Sequence, residues 1–192
     1  MQPYLIENMY YPILLLLALG LMSDLNADTN TELWTLPTDA WRLVTDGVMG
    51  GVSRGALSNE SQGDTACVAL RGRVSTANNG GFIQMALDLD EQSAARAGQY
   101  DGLLLDVRGN GEEYNVHLRT SYLWLPWQSY RASFTAGPEW QSTRLPFAAF
   151  APYKTTTALK LDKLRRIGIV AIGRDFDADL CVRQLAFYRN RR

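Results

Sequence analysis

Hydrophobic and polar residues alternate along most of the chain after Thr65. The clearest case is 114–122, where Asn115, His117 and Arg119 fall between apolar or aromatic residues. Alternation with a period of two is typical of β-strands that have one buried face. The same pattern predicts strands over 65–74, 82–89, 100–107, 114–122, 129–135, 140–145, 163–172 and 180–188.

Only two short stretches have helical character, Glu91–Ala97 and residues 161–165. The strands are separated by turns rich in Gly and Asn, at residues 78–81 and 108–111, where these residue types tolerate a positive φ. Many short strands joined by such turns predict an all-β protein, and the expected architecture is a jelly-roll β-sandwich.

Residues 41–55 contain four glycines among Asp46, Met49 and larger side chains. Glycine is used where the backbone needs a positive φ or a close approach. One interpretation is a tight, well-packed turn between two strands. The other is a loop that contacts a ligand or partner through Asp46, Met49, Gly50 and Gly51. The segment is not a phosphate-binding P-loop, because no Gly-Lys-Ser/Thr sequence follows the glycines.

The 192 residues favour one folded domain, which we expect over 28–192. The net charge of −1 gives no reason to expect a nucleic-acid partner.

Residues 13–22 are continuously apolar, and residues 1–27 are interpreted as a probable signal peptide or membrane anchor. Glu7 and the lack of a preceding Lys or Arg count against a signal, so a docking helix or a wrongly chosen start stays open. Export to the periplasm or membrane association through 13–22 is favoured over a cytoplasmic location.

Few residues are available for catalysis. His117 is the only histidine, and no G-x-S-x-G motif offers a nucleophile. With only Cys67 and Cys181 beside it, a zinc site is not expected. The two cysteines either pair, as an exported chain would allow, or remain separate thiols. We therefore expect no enzyme activity and no cofactor.

The alternating acids at positions 175, 177 and 179 raise the question of a bound cation, since hard cations prefer clustered oxygens. This stretch lacks the glycine and the distal glutamate of an EF-hand loop. An ordinary acidic turn is the preferred interpretation, and no metal site is predicted.

Polar side chains line one face of several predicted strands, including Asp106, Arg119 and Arg131. If these strands are neighbours, a polar stripe crosses one sheet and suits a polar ligand; otherwise it is a solvated outer face.

An aromatic cluster follows the strand that carries Arg119. Its rings either form an exposed contact surface for a sugar or a protein, or fold back onto the core. The cluster comprises Tyr122, Trp124, Trp127 and Tyr130.

The segment at 41–53, WRLVTDGVMGGVS, resembles the opening signature of the complex I intermediate-associated protein family, the thirty-kilodalton assembly-factor domain. Further similar segments follow in the family's order: NNGGF at 78–82, YDGL at 100–103, VRGNG at 107–111, YNVHLRT at 114–120, Trp140 with LPFAAF at 145–150, and IGI at 167–169.

This resemblance implies a fold similar to galactose-binding-like domains, which are jelly-roll sandwiches. It implies the role of a non-catalytic assembly factor or chaperone for NADH dehydrogenase, engaging a protein client such as a respiratory subunit. The expected contacts are residues 46–53 and 124–127. The alternative on the same fold is a carbohydrate-binding module using Asp106, Arg119, Trp124 and Trp127. The apolar N-terminus departs from the expectation for an assembly factor that faces the cytoplasmic arm.

Overall fold

The computed structural model describes residues 31–37, 39–62 and 65–191. The expected signal peptide or anchor at 1–27, with its apolar run at 13–22, lies outside these residues. No helix within the described ranges is long and apolar enough to cross a bilayer.

Two antiparallel β-sheets of six strands each form the described part of the chain. The first sheet has the order β3-β4-β12-β6-β9, with β1 paired to one end of the long strand β12. Its strands are β1 (Thr31–Thr35), β3 (Arg54–Gln62), β4 (Thr65–Val74), β6 (Gly102–Gly109), β9 (Gln141–Pro146) and β12 (Phe176–Asn190).

The second sheet has the order β10-β8-β7-β11-β5-β2. Its strands are β2 (Arg42–Thr45), β5 (Phe82–Asp88), β7 (Glu113–Thr120), β8 (Ser129–Thr135), β10 (Ala151–Tyr153) and β11 (Leu164–Ile172). The all-β sandwich predicted from the alternation is confirmed. Four strands that the alternation did not predict complete the sheets, namely β10 and the three strands before Thr65. Two of these, β2 and β3, flank the turn expected within 41–55.

The hydrophobic core lies between the two sheets. On β7, Tyr114, Val116 and Leu118 are fully buried, and they belong to one core cluster with Leu105 and Phe187 of the first sheet. Because successive side chains of a strand alternate between faces, Asn115, His117 and Arg119 point away from this core. The buried face therefore dictates which residues of each strand are available to a ligand.

One short helix, α1 (Glu91–Ala97), connects β5 to β6. Asp90 caps it by accepting a hydrogen bond from the backbone N–H of Ser93 at 2.7 Å. Hydrogen bonds from Ser93 hold the pKa of Asp90 below its ordinary value. Residues 161–165, also predicted as helical, contain only a single 3₁₀ turn, Leu161–Lys163.

A disulfide joins Cys67 of β4 to Cys181 of the neighbouring strand β12, with the two Cα atoms 5.7 Å apart. Of the two possibilities that the sequence left open, the structure therefore has the cysteines paired. The disulfide lies on the outer face of the first sheet, where it packs against Ala69 and Trp140.

Candidate binding surfaces

The loop at residues 46–53, here called the signature loop, is built around the buried carboxylate of Asp46. This carboxylate accepts hydrogen bonds from the backbone N–H groups of Ser53 (3.0 Å), Gly81 (2.6 Å) and Phe82 (3.3 Å), and from the Ser53 hydroxyl. Burial by itself would raise the pKa of Asp46. The hydrogen bonds from Gly81, Ser53 and Phe82 outweigh burial and lower it.

Two glycines of the signature loop have separate structural requirements. Gly50 has a φ of 88°, which places it in the left-handed region. Gly51 packs directly against Asp46, and a Cβ at position 51 would lie 2.3 Å from the Asp46 Cγ. A tight turn between the strands β2 and β3 therefore accounts for Asp46, Gly50 and Gly51 without a ligand. Of the four proposed contact residues, Met49 alone has an exposed side chain, and Val48 and Val52 of the same loop are exposed as well.

Residues 121–128 form a second loop, here called the aromatic loop, between β7 and β8. Leu123 of this loop is buried, but its other large hydrophobic side chains are exposed, and Trp124 retains 91% of its accessible surface. The others are Tyr122 (48%), Leu125 (43%) and Trp127 (47%). Tyr130, the fourth ring of the predicted cluster, lies on β8 and is buried, and its hydroxyl donates to the carbonyls of Thr157 and Ala158. Three of the four rings are thus accessible to a partner.

Arg119 holds the aromatic loop in place. Its guanidinium donates hydrogen bonds to the carbonyls of Leu123 (3.3 Å), Leu125 (3.0 Å), Pro126 and Gln128 (3.0 Å). Burial lowers the pKa of Arg119, and Arg166 and Arg165 add to the shift. A side chain committed to four backbone carbonyls positions the aromatic rings. The sequence suggested Arg119 as a ligand contact, and in the structure its guanidinium contacts the backbone of the aromatic loop.

His117 lies in the middle of the outer face of the second sheet. It pairs across the ladders with Arg131 on β8 and with Gly168 on β11. The imidazole is 9% exposed, and its Nε2 atom has no hydrogen-bond partner. Burial, with a smaller contribution from the charge of Arg131, lowers the pKa of His117 to about 3. The ring is therefore neutral at physiological pH.

Amide side chains lie next to His117 on the same outer face. Asn115 and Gln84 belong to one row across β7, β11 and β5, with Val170 between them. The Gln84 amide lies over Gly168, where a Cβ would approach its carbon and nitrogen to 2.8 Å. Alternation along β5 is enough to place Gln84 on the outer face. It does not show that the Gln84 amide lies over Gly168, the glycine paired with His117.

Arg131 and Tyr153 border His117 on the side of β10. The Arg131 guanidinium lies 3.4 Å from the centre of the Tyr153 ring, and its Nε donates to the Ser129 hydroxyl at 3.0 Å. Tyr153 is partly exposed. Its register partner on β8 is Ser129, so only the pairing of β10 with β8 brings this ring onto the face, and sequence reasoning missed it.

Asp106 does not belong to this face, which corrects the expectation that it shares a polar stripe with Arg119. β6 pairs with β9 and β12 in the first sheet, whereas β7 lies in the second. Asp106 is buried on the opposite outer surface, where it accepts a 2.8 Å hydrogen bond from Arg183 Nε. Arg183 in turn lies 4.6 Å from the centre of the Trp140 ring. A site combining Asp106 with Arg119, Trp124 and Trp127 is therefore not assembled.

The signature loop and the aromatic loop lie at opposite ends of the second sheet. The signature loop follows β2 at Thr45, which pairs with Ile83 near the start of β5. The aromatic loop follows β7, and the end of β7 pairs with the beginning of β11. The start of β5, next to the signature loop, pairs with the opposite end of β11. One compact ligand cannot contact both loops.

The acids at 175, 177 and 179 each have a protein partner. Asp175 accepts hydrogen bonds from the N–H and hydroxyl of Thr76, which lower the pKa of Asp175. Asp177 pairs with Arg73 and Asp179 with Arg71. Among the described residues, the one group with metal-ligand spacing is Glu60, Cys67 and Cys181, and its sulfurs form the disulfide.

Carbohydrate-binding modules and a glycoside-cleaving enzyme are among the solved structures with a similar fold. A family 11 carbohydrate-binding module from Clostridium thermocellum, in complex with a β-1,3-1,4-mixed-linked tetrasaccharide, is similar with a TM-score of 0.68. It is 12% identical, and the match covers 83% of this chain and 96% of the module. An exo-β-agarase is similar with a TM-score of 0.53 and 9% identity over 84% of this chain and 25% of the agarase. At these identities the likeness shows the fold alone.

At the sequence level, no curated protein matches the chain. The family model of Complex I intermediate-associated protein 30 (CIA30) matches residues 29–182. This range contains the signature loop, the aromatic loop and all strands of the second sheet. It also agrees with the order of the motifs found along the sequence. The chain belongs to the CIA30 family.

Proposed function

We propose that this chain is a non-catalytic binding domain that engages a protein client through the aromatic loop. The family model that matches it is named for association with a complex I intermediate, and a respiratory subunit is the client we expect. The observation that carries the proposal is the exposure of Trp124 and its neighbours on a loop whose backbone Arg119 holds.

The aromatic loop has the properties of an interaction hot spot. Tryptophan and tyrosine contribute most to protein interfaces because they bury a large area at a small cost in side-chain entropy. The carbonyls bonded to Arg119 restrict the loop before a partner arrives, which lowers the entropic cost of binding.

The surroundings of His117 support a binding role rather than catalysis. A general base works best with a pKa near the operating pH, whereas the pKa of His117 is lowered to about 3. No described serine or threonine hydroxyl forms a hydrogen bond with its Nε2, and both cysteine sulfurs are in the disulfide.

Affinity capture from the source cells tests the client proposal. Trp124→Ala and Trp127→Ala should each abolish or strongly reduce recovery of a respiratory subunit that the unaltered chain retains. Arg54→Gln, an exposed change on the first sheet, is the matched control and should leave recovery unchanged. Capture of no respiratory or membrane subunit, together with intact complex I in a deletion strain, would refute the proposal.

A second candidate function is carbohydrate binding on the outer face of the second sheet. The specific observation in its favour is the group of polar side chains, Asn115, Gln84 and Arg131, that strand pairing brings to this face. Amide groups both donate to and accept from hydroxyls. The similar fold of the family 11 module, solved with a tetrasaccharide, adds to this candidate.

A glycan array separates the two functions. If the face binds carbohydrate, the array should give hits that are weakened by Asn115→Ala and by Gln84→Ala. Arg54→Gln, an exposed change on the first sheet, should leave the hits unaltered. An array without hits, or hits insensitive to the outer face, would remove this candidate and leave the client proposal standing.

A further inference from the structure

The outer face of the second sheet has a marked excess of positive charge, although the whole chain is nearly neutral. Its arginines are Arg42, Arg119, Arg131 and Arg166. Two carboxylates oppose them. Asp88 already pairs with both Arg42 (3.0 Å) and Arg166 (2.5 Å), and Glu113 lies at the far end of β7. The excess is concentrated around His117.

Arg131 is the arginine whose charge is least compensated. Within the described ranges it forms no ion pair with a carboxylate; its partners are the Tyr153 ring and the Ser129 hydroxyl. Burial lowers the pKa of Arg131. A half-buried guanidinium without a counter-charge is costly for the fold, and a bound anion would offset that cost.

We propose that this outer face binds an acidic saccharide, with Arg131 receiving the carboxylate of a uronate residue. The amides of Asn115 and Gln84 then receive hydroxyls of the same or the neighbouring sugar. Guanidinium and carboxylate match as two parallel hydrogen bonds. This inference rests on the carbohydrate-binding candidate and adds the charge of its ligand.

The position of the cluster favours a saccharide over an acidic peptide. Extended peptides usually add to the free edge of a sheet through backbone hydrogen bonds. β7 and β11 are interior strands, and both ladders of each are occupied. Recognition must therefore come from side chains. The amides of Asn115 and Gln84, on the same face as Arg131, suit a chain of hydroxyl-bearing rings.

The decisive comparison uses the unaltered chain and one polymer in two charge states. Binding of polygalacturonate, alginate and glucuronoxylan is measured by calorimetry, each against its methyl-esterified form, with mixed-linked β-glucan as a neutral glycan. Poly-glutamate provides the acidic polypeptide. We expect at least one uronate polymer to bind at least tenfold more tightly than its ester and than poly-glutamate. Arg131→Gln should remove that preference, whereas Arg54→Gln should retain it.

The outcomes distinguish the inference from the function on which it rests. Equal binding of a polymer and its ester, or of β-glucan alone, would overturn the acidic ligand while leaving carbohydrate binding in place. If poly-glutamate binds as tightly as the uronate polymer, the assignment of a saccharide ligand is refuted. Binding of no glycan would refute both the inference and the carbohydrate candidate. The ester comparison needs no variant, so a failure of Arg131→Gln to fold would not affect it.

Discussion

His117 makes the stability of this protein depend on pH in a range where little else titrates. The imidazole is buried with Nε2 unpartnered, and Arg131 lies beside it on the next strand. Protonation would place a second positive charge in this position. Because the ring is accessible to water only after unfolding, acid should favour the unfolded chain.

The size of the effect follows from the two pKa values. The pKa is about 3 in the folded chain and about 6.5 in an unfolded one. Since the unfolded state binds the extra proton, stability is fully present above about pH 6.5 and falls as the pH drops toward 3. Each pH unit below 6.5 removes about 1.4 kcal/mol, so moving from pH 7.5 to 5.0 should cost about 2 kcal/mol.

Urea unfolding of the unaltered chain and of His117→Gln, at pH values from 7.5 to 5.0, measures this contribution. His117 is the only histidine, so the variant contains no side chain that ordinarily titrates near pH 6.5. Carboxylates ordinarily titrate below this range and contribute equally to both chains. We expect the stability difference between the chains to shift by about 2 kcal/mol toward the variant as the pH falls. Parallel profiles would refute the burial argument.

Four other outcomes are expected. Asp46→Ala should lower the free energy of unfolding by about 2–4 kcal/mol in urea titrations, because buried N–H groups lose their acceptor; an unchanged midpoint would contradict this role. Gly51→Ala should cost about 1–3 kcal/mol through overlap with the same carboxylate, detected as a lower melting temperature. Reduction of the Cys67–Cys181 disulfide, which closes a separation of 114 residues, should cost about 2–5 kcal/mol, measured by unfolding with and without reductant. Arg119→Met should loosen the aromatic loop and lower its tryptophan fluorescence anisotropy, and an unchanged anisotropy would mean that the carbonyl contacts do not hold the loop.

Much of the fold could be predicted because period-two alternation identifies buried faces locally. Strand β4 has the bounds predicted from the sequence. Tyr130, which the sequence places with the aromatic cluster, shares the buried face of Ala132 and Phe134. Alternation did not identify β2 and β3, because β2 has only four residues and β3 is mostly polar. Hydrogen bonding to neighbouring strands, and not their own sequence pattern, makes them strands.

The arrangement of the candidate site could not be predicted, because it depends on which strands pair. Asp106 and Arg119 are near in sequence and each points outward from its strand. The chain crosses from one sheet to the other between β6 and β7, so the two side chains lie on opposite surfaces. Tyr153 reaches Arg131 only through the pairing of β10 with β8. Local patterns give the face of a residue but not its neighbours across the ladder.

The residues that identify the family and the residues suited to a ligand are different sets. Asp46, Gly50 and Gly51 belong to the signature that led to the family. In the structure Asp46 connects this loop to the turn before β5, Gly51 packs against the Asp46 carboxylate, and Gly50 has a positive φ. Substituting them would therefore report on folding. His117, Arg131 and the exposed tryptophans contribute little to that connection. A protein could therefore keep the signature, and so the fold, while its outer face and aromatic loop change to suit another partner. Family membership consequently constrains the architecture strongly and the ligand weakly, and the ligand must be sought with variants of the outer face and the aromatic loop.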